Sequence, residues 1–306
     1  MAETRPRPIL IAGPTASGKS ALALSLAERF GGAVVNADAL QVYDGFRALT
    51  ARPDAAARAR APHHLDGHVA MTEPSYSVGR WLEEARALLQ HATARGERLI
   101  IVGGTGLYFK ALTEGLAEIP ATPPDLRAEM NARLEAEGLA AMAAALRRDD
   151  PETAARADLA NPRRVLRALE VLQLSGVGLA AWAARTPPPA LPLSEAHALA
   201  LTPDRAALET RIRARLAAMI EDGALEEVRS ALAAGWSFDL PSMKALGAAE
   251  LAAHLRGETT LEDALERTAI STRRYAKRQA TWIRNQMSAW RRIESADADA
   301  LGATLT

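Results

Sequence analysis

The octapeptide Gly13-Pro14-Thr15-Ala16-Ser17-Gly18-Lys19-Ser20 completes the pattern G-x-x-x-x-G-K-[ST]. Its flanks have matching textures. Ahead of it runs Pro8-Ile9-Leu10-Ile11-Ala12, a short apolar run suited to a strand buried on both faces. Behind it, Ala21 to Phe30 is rich in Ala and Leu and reads as a helix stopped at Gly31-Gly32. Strand, glycine loop and helix together make a phosphate cradle. The glycines let backbone N–H groups curl around phosphate oxygens, and the helix N-terminus adds the positive end of its dipole. Lys19 supplies a point charge, and the Ser20 hydroxyl is a candidate ligand for Mg²⁺. Gly13 to Ser20 are therefore assigned to a phosphate or diphosphate, and the loop by itself does not separate a diphosphate from a triphosphate.

Composition sets the bounds. The chain has 306 residues, 48% of them hydrophobic, enough for a sizeable core. Cysteine is absent, which excludes disulfides, thiolate zinc sites and a cysteine nucleophile, and which fits a reducing compartment. Met1 to Pro8 is polar and proline-rich, and no apolar stretch approaches the length of a membrane span. A soluble, cytoplasmic protein with no membrane partner is expected. Formal net charge is +0, so a nucleic-acid partner would have to be held by a local basic patch.

Outward from the loop, Ala33 to Asp38 reads as a second short strand ending in a carboxylate. Ligands of open parallel α/β sheets bind beyond the carboxyl ends of strands, which puts Asp38 where chemistry happens. Capping a helix is the other ordinary use of such a residue. Residues 50–73 read as loop. His63, His64 and His68 lie there, but their spacing fits no metal-ligand pattern, and they are assigned to packing or surface. Val78, Trp81, Leu82, Ala85, Leu88 and Leu89 recur at helical spacing. Arg98 to Val102 is a further buried strand, followed by Gly103-Gly104-Thr105-Gly106-Leu107-Tyr108. A nucleotide hydrolase would carry an Asp at the end of such a strand. Here glycines stand instead and allow a backbone to approach a ligand closely, while Thr105 offers a hydroxyl.

From Ile119 to Pro124 the texture changes. Helices are expected over Asp125–Glu137 and Leu139–Arg148, then a short turn at Pro151–Arg156, then a helix over Pro162–Leu174 capped by Asn161. Ala196 to Leu201 returns to strand texture. The fold class is α/β: a P-loop NTPase-like parallel sheet core with a helical insertion domain. The core takes residues 1–115 and 191–306, with helices at its C-terminal end, and the insertion takes 116–190. Thr202-Pro203-Asp204 opens a long helix whose buried stripe is Leu208, Ile212, Leu216, Met219 and Ile220. Arg211 flanks that stripe and is the arginine able to reach inward, while Arg213 and Arg215 point elsewhere. Residues 271–292 carry seven Arg and Lys and no acid. Tyr275, Trp282, Ile283, Met287 and Trp290 give the same stretch an apolar face at helical spacing. Such a run either solvates a helix or suits a phosphate backbone.

Several blocks together resemble the tRNA dimethylallyltransferases. They are Gly13–Ser20, Asn36-Ala37-Asp38-Ala39-Leu40-Gln41-Val42-Tyr43, Thr50-Ala51-Arg52-Pro53, Pro62-His63-His64-Leu65 and Val102–Tyr108, with Arg167–Val171 and Tyr275–Arg284 further on. The match runs in order over nearly the whole chain. Two blocks depart from the family pattern. Asp38-Ala39-Leu40-Gln41 stands for the usual Asp-Ser-Met-Gln, and Gly247-Ala248-Ala249 for the usual Gly-Tyr-Arg.

The resemblance implies transfer of a dimethylallyl group from dimethylallyl diphosphate to N6 of the adenosine at tRNA position 37, 3′ of the anticodon, with release of diphosphate. It implies Mg²⁺, for which Ser20 is the candidate ligand, and a monomer is expected. It also implies tRNA contacts at Asp38, Ala39, Leu40, Gln41 and Thr105, at Asn161, Pro162, Arg163, Arg164 and Val165, and at Lys244, Ala245, Leu246, Gly247, Ala248 and Ala249. An adenine amine is a poor nucleophile because its lone pair is delocalised, so a carboxylate in reach can take its proton as the C–N bond forms, and Asp38 is the candidate. Lys19 and the loop amides hold the charge of the leaving diphosphate. By the same resemblance Thr105 meets the bridging oxygen and Arg211 a phosphate. Two other classes stand beside this reading. A P-loop kinase would bind ATP and use Asp38 on a hydroxyl, and ATP turnover distinguishes it. A non-catalytic tRNA-binding protein would use the basic helix alone, against which an intact phosphate loop with Asp38 and Thr105 weighs.

Overall fold

The computed structural model describes residues 6–294, 296–298, 301 and 305. The chain divides into two compact units, one formed by the chain up to Thr113 and from Ala190 onward, the other by Glu114–Pro189.

Among the described residues the first unit holds six strands: β1 (Ile9–Ala12), β2 (Ala33–Asn36), β3 (His63–His64), β4 (Leu99–Gly103), β5 (His197–Leu201) and β6 (Arg291–Ile293). They form one sheet in the order β3-β2-β4-β1-β5-β6, and every pairing is parallel. Parallel sheets need cover on both faces, and the central strands are apolar throughout for that reason. Ile9, Ile11, Ile100 and Val102 pack with Leu22 and Leu26 of α1 (Lys19–Phe30). Leu10 and Ile101 alternate to the opposite face and are equally buried. Helices α2 (Arg47–Thr50), α3 (Ala55–Arg60), α4 (Val78–Arg95) and α5 (Gly106–Glu114) lie between the strands in sequence. Trp81 of α4 stacks on Tyr108 of α5 at 4.4 Å between centroids.

The second unit contains α6 (Pro124–Asp149), α7 (Pro151–Arg156), α8 (Pro162–Ser175) and α9 (Leu179–Ala184). Met130, Met142, Leu146, Val165 and Leu169 form its core. Gly138 breaks α6 with φ 79 and ψ 162, at the position where the sequence separates two helices. After β5 the first unit resumes with α10 (Arg205–Glu221), α11 (Ala224–Ala233), α12 (Ala248–Leu255) and α13 (Leu261–Gln286). Ile212, Leu216, Met219, Val228 and Leu251 pack there with Val42, Phe46 and Met71 in a second core of the same unit. Among the described residues no helix is long and apolar enough to cross a membrane.

Three expectations need correction. Residues 50–73 are not all loop: α3 and β3 lie there. The helix Ala55–Arg60 has no buried residue to give it an apolar period, and it is started by Asp54, whose Oδ1 accepts from Ala57 N–H at 2.7 Å. A strand of two residues is too short to show alternation. Second, β2 ends at Asn36, two residues before Asp38. Third, the apolar face of 271–292 does not stay on one helix. The helix α13 ends at Gln286, and Trp290 packs edge-on against Phe109 at 5.2 Å just before β6 begins.

Candidate active site

The loop from β1 into α1 has the geometry of an anion cradle. Gly18 takes φ 90, a left-handed conformation that costs a side chain dearly. The first backward bond of α1 runs from Leu22 N–H to Gly18 O at 3.1 Å, so the N–H groups ahead of it point out of the helix end. Beside them Ser17 Oγ is buried, with no hydrogen-bond partner among the described residues. Lys19 folds back over the loop, and its Nζ donates to Pro14 O at 3.3 Å. Burial pushes the Lys19 ammonium from 10.5 down to about 8, against the pull of the nearby Asp38 carboxylate and with a push from Arg215.

Asp38 lies two residues beyond β2 in a loop fixed from several sides. Asn36 Oδ1 accepts from Asp38 N–H at 2.9 Å, and Asn36 Nδ2 donates to Leu65 O at 2.8 Å. Trp81 Nε1 donates to Asn36 O at 2.8 Å. Asp38 Oδ1 accepts from Leu40 N–H at 3.0 Å, and among the described residues no hydrogen bond to Asp38 Oδ2 is seen. Thr105 ties this loop to the end of β4. Its N–H donates to Ala37 O at 3.2 Å, and its Oγ1 accepts from Ala39 N–H at 2.9 Å, which leaves the hydroxyl proton to donate elsewhere. A side chain at Gly103 would run into the Ala37 backbone, so the two loops can touch only because that residue is glycine. Tyr108 and Tyr275 both resist ionisation, first through burial and then through the Asp38 carboxylate near both rings.

Helix α10 brings in two arginines. Arg211 Nη1 donates to Ser17 O at 3.2 Å, in line with the inward reach read from its spacing. Arg215 does not point elsewhere. Its Nη2 donates to Thr50 O at 3.1 Å, and burial pulls its guanidinium below the usual value against the Asp38 charge. It follows Arg211 by four residues, one turn on the same face, and that spacing was the available signal. Gln279 of α13 was also missed. Its Oε1 accepts from Thr15 N–H at 2.8 Å and its Nε2 donates to Gly104 O at 3.0 Å. It stands four residues after Tyr275 and three before Trp282, an uncharged polar residue on the helix's apolar stripe, which is the informative kind of exception.

The other sequence candidates are distributed as follows. Ser20 is exposed at the mouth of the loop and borders a cavity of about 270 Å³ with Gln41, Arg52, Asp54, His63 and Asp66. Asp66 Oδ1 is buried there with no hydrogen-bond partner among the described residues, while its other oxygen pairs with Arg58. Asp38 and Thr105 do not line that cavity. Among the described residues no group of three or more His, Asp or Glu could hold a metal, so a cation here would rest on Ser20 and on oxygens brought by a substrate. An exposed serine hydroxyl at the start of α1 fits a Mg²⁺ that keeps most of its waters and is held mainly by substrate phosphate. His68 pairs with Glu84 at 2.9 Å. Asn161 caps α8, accepting from Arg163 and Arg164 N–H, and this whole segment belongs to the second unit. In Lys244–Ala249 only Lys244 and Ala249 are exposed, with Ala245, Gly247 and Ala248 buried. On α13, Arg273 is paired with Glu209 and Glu266, while Arg274, Lys277, Arg278 and Arg284 are exposed.

Comparison with known proteins gives a consistent result. The family model described as IPP transferase matches residues 41–286, and one described as isopentenyl transferase matches residues 7–59. The tRNA dimethylallyltransferase of Cereibacter sphaeroides strain KD131 is 60% identical over 287 residues, 94% of this chain and 88% of that protein. That of Paracoccus denitrificans is 54% identical over 296 residues, 96% of each chain. The full-length tRNA isopentenylpyrophosphate transferase of Bacillus halodurans superposes with a TM-score of 0.68 at 32% identity, covering 98% of this chain and 97% of that one. A eukaryotic dimethylallyltransferase acting on tRNA gives a TM-score of 0.78 at 28% identity over 96% of this chain and 75% of that one.

Proposed function

The chain belongs to the IPP transferase family, and from that premise we propose that it moves a dimethylallyl group from dimethylallyl diphosphate to N6 of the adenosine at tRNA position 37. One observation carries this reading: the Asp38 loop and the phosphate loop converge on the Gly103-Gly104-Thr105 corner of β4, with Lys19 in the field of Asp38. A base and a diphosphate cradle so arranged suit a single displacement. As the donor's C1–O bond breaks, the C1–N6 bond forms, the N6 proton passes to Asp38 Oδ2, and diphosphate leaves. The amides at the N-terminus of α1, Lys19 and Arg211 take up the charge gathering on the leaving group. The Thr105 hydroxyl, already accepting from Ala39, donates to the bridging oxygen. Mg²⁺ would be held by Ser20, and when bound it neutralises diphosphate charge.

A base buried in an anticodon stack cannot reach this corner, so the adenosine is flipped out of its stack. Asn161 to Val165, Lys244 to Ala249 and the exposed cations of α13 then serve as contacts to the tRNA, the first of these from the inserted helical domain. The protein acts in the cytoplasm as a monomer.

The test combines the purified protein with Mg²⁺, dimethylallyl diphosphate and tRNA lacking the modification, beside an arm with ATP alone. Digested nucleosides are read by mass spectrometry. Adenosine is expected to gain the dimethylallyl mass in the first arm only. Asp38→Ala is expected to slow turnover by about 10²–10⁴. A variant within threefold of wild type would remove Asp38 as the base. ADP production without prenylation would support a kinase instead.

A further inference from the structure

Among the described residues one large hydrophobic side chain is exposed, Leu107, at 44%. Single exposed apolar residues are ordinary on a protein surface. This one stands in the first turn of α5, two residues after Thr105, and the mechanism above gives it no task. Resting on the function proposed above, we propose that Leu107 is a wedge that enters the base stack of the tRNA anticodon loop and fills the gap left when adenosine 37 turns out toward Asp38.

The turn that carries Leu107 is held on its other sides. Gln279 Nε2 donates to Gly104 O at 3.0 Å, and Lys110 Nζ donates to Gln286 Oε1 at 3.4 Å. Between them the Trp282 ring lies against Gly106, where a Cβ would collide with it. Tyr108 stacks on Trp81 at 4.4 Å, and Phe109 is fully buried. Leu107 is the residue of this turn that faces outward. Side chains on a helix lean toward its N-terminus and cover the turn before their own Cα. For Leu107 that is the Thr105 end, where Thr105 Oγ1 accepts from Ala39 N–H at 2.9 Å, one residue past Asp38. The leucine therefore overhangs the corner that receives the base.

Its surroundings favour a nucleic acid as the occupant. Arg274, Lys277 and Arg278 of α13 are exposed, on the helix that packs this corner through Gln279 and Trp282. Arg278 lies over the Tyr275 ring at 5.5 Å, and Tyr275 feels the Asp38 carboxylate. Cations of this kind suit phosphates, and an apolar tip beside them suits the faces of bases. Turning a base out of its stack exposes the faces of its two neighbours to water. A leucine between those faces covers them again and lowers the cost of the flipped state. An alanine methyl is too short to do so.

The test uses the full chain with Mg²⁺ and unmodified tRNA carrying 2-aminopurine at position 37, a base that is dim when stacked and bright when turned out. The wild type is expected to brighten the probe at saturation. Leu107→Ala is expected to give about one third of that brightening or less, with a matching fall in kcat on ordinary tRNA and the KM for dimethylallyl diphosphate unchanged. Leu107→Met, which restores length without the branch, should recover most of both. The residue is exposed, so the variants should fold, and calorimetry with inorganic diphosphate checks that the phosphate loop is intact. Full brightening by Leu107→Ala overturns the inference, and so does a raised KM for dimethylallyl diphosphate with normal brightening, which would make Leu107 a wall for the prenyl chain. A wild type that prenylates tRNA without brightening the probe removes the wedge and leaves the proposed function standing. A wild type that binds tRNA but prenylates none overturns that function and this inference with it.

Discussion

Lys19 is a cation held in a buried place, and the ligand-free protein bears the cost. Its pKa falls from 10.5 to about 8 on folding, chiefly through burial. The sign of the pH effect follows. Below about pH 8 the folded chain carries a destabilising charge, and from there up to 10.5 the unfolded chain keeps a proton that the folded chain has released. Stability therefore rises with pH across that window. Lys19→Met is expected to be more stable than wild type below pH 8 by up to about 3 kcal/mol, the linkage equivalent of the drop. The advantage shrinks as pH climbs toward 10, and the variant loses the extra stability that diphosphate gives wild type. Urea titrations at pH 7 and 9.5, with and without diphosphate, check this. A difference independent of pH would mean that packing and not charge governs the site.

At the scale of elements, Asn161 stands at the start of α8 with two possible duties. As an N-cap it accepts from Arg163 and Arg164 N–H at 3.1 and 3.4 Å, and as a tRNA contact it would be read by its amide. Asn161→Asp keeps the cap and favours the helix dipole. It is expected to unfold within about 0.5 kcal/mol of wild type while raising the KM for tRNA severalfold, whereas Asn161→Ala should also lose about 1 kcal/mol. An Asp variant with unchanged KM would leave Asn161 as a cap only. Elements also explain what the sequence disclosed. The phosphate loop, Asp38 and Thr105 follow strands whose apolar runs are local and long enough to read, so their places at the sheet's edge are legible in the sequence. Strands β3 and β6 span two and three residues, too few for a period. Arg215 and Gln279 stand on helices from distant parts of the chain, and only packing brings them to Thr50 and to the phosphate loop.

Across the whole molecule the charge balance is even, with 37 Lys and Arg against 37 Asp and Glu. Attraction to RNA must then come from local surfaces, and α13 offers one in its exposed Arg274, Lys277, Arg278 and Arg284. Each cation touching a phosphate should add about 0.7–0.9 to the slope of log affinity against log salt. The double variant Arg274→Ala/Lys277→Ala is expected to flatten that slope by between one and two, measured by filter binding of tRNA from 50 to 300 mM salt. An unchanged slope would make this face ordinary solvated surface. The same helix has a consequence in time. Thr15 and the glutamine that holds its N–H are 264 residues apart. On the ribosome the phosphate loop emerges among the first residues and then waits for nearly the whole polypeptide before its last partner arrives. A nascent chain halted before α13 lacks the glutamine that ties the phosphate loop to the end of β4, so the loop gains its last anchor only as synthesis nears its end.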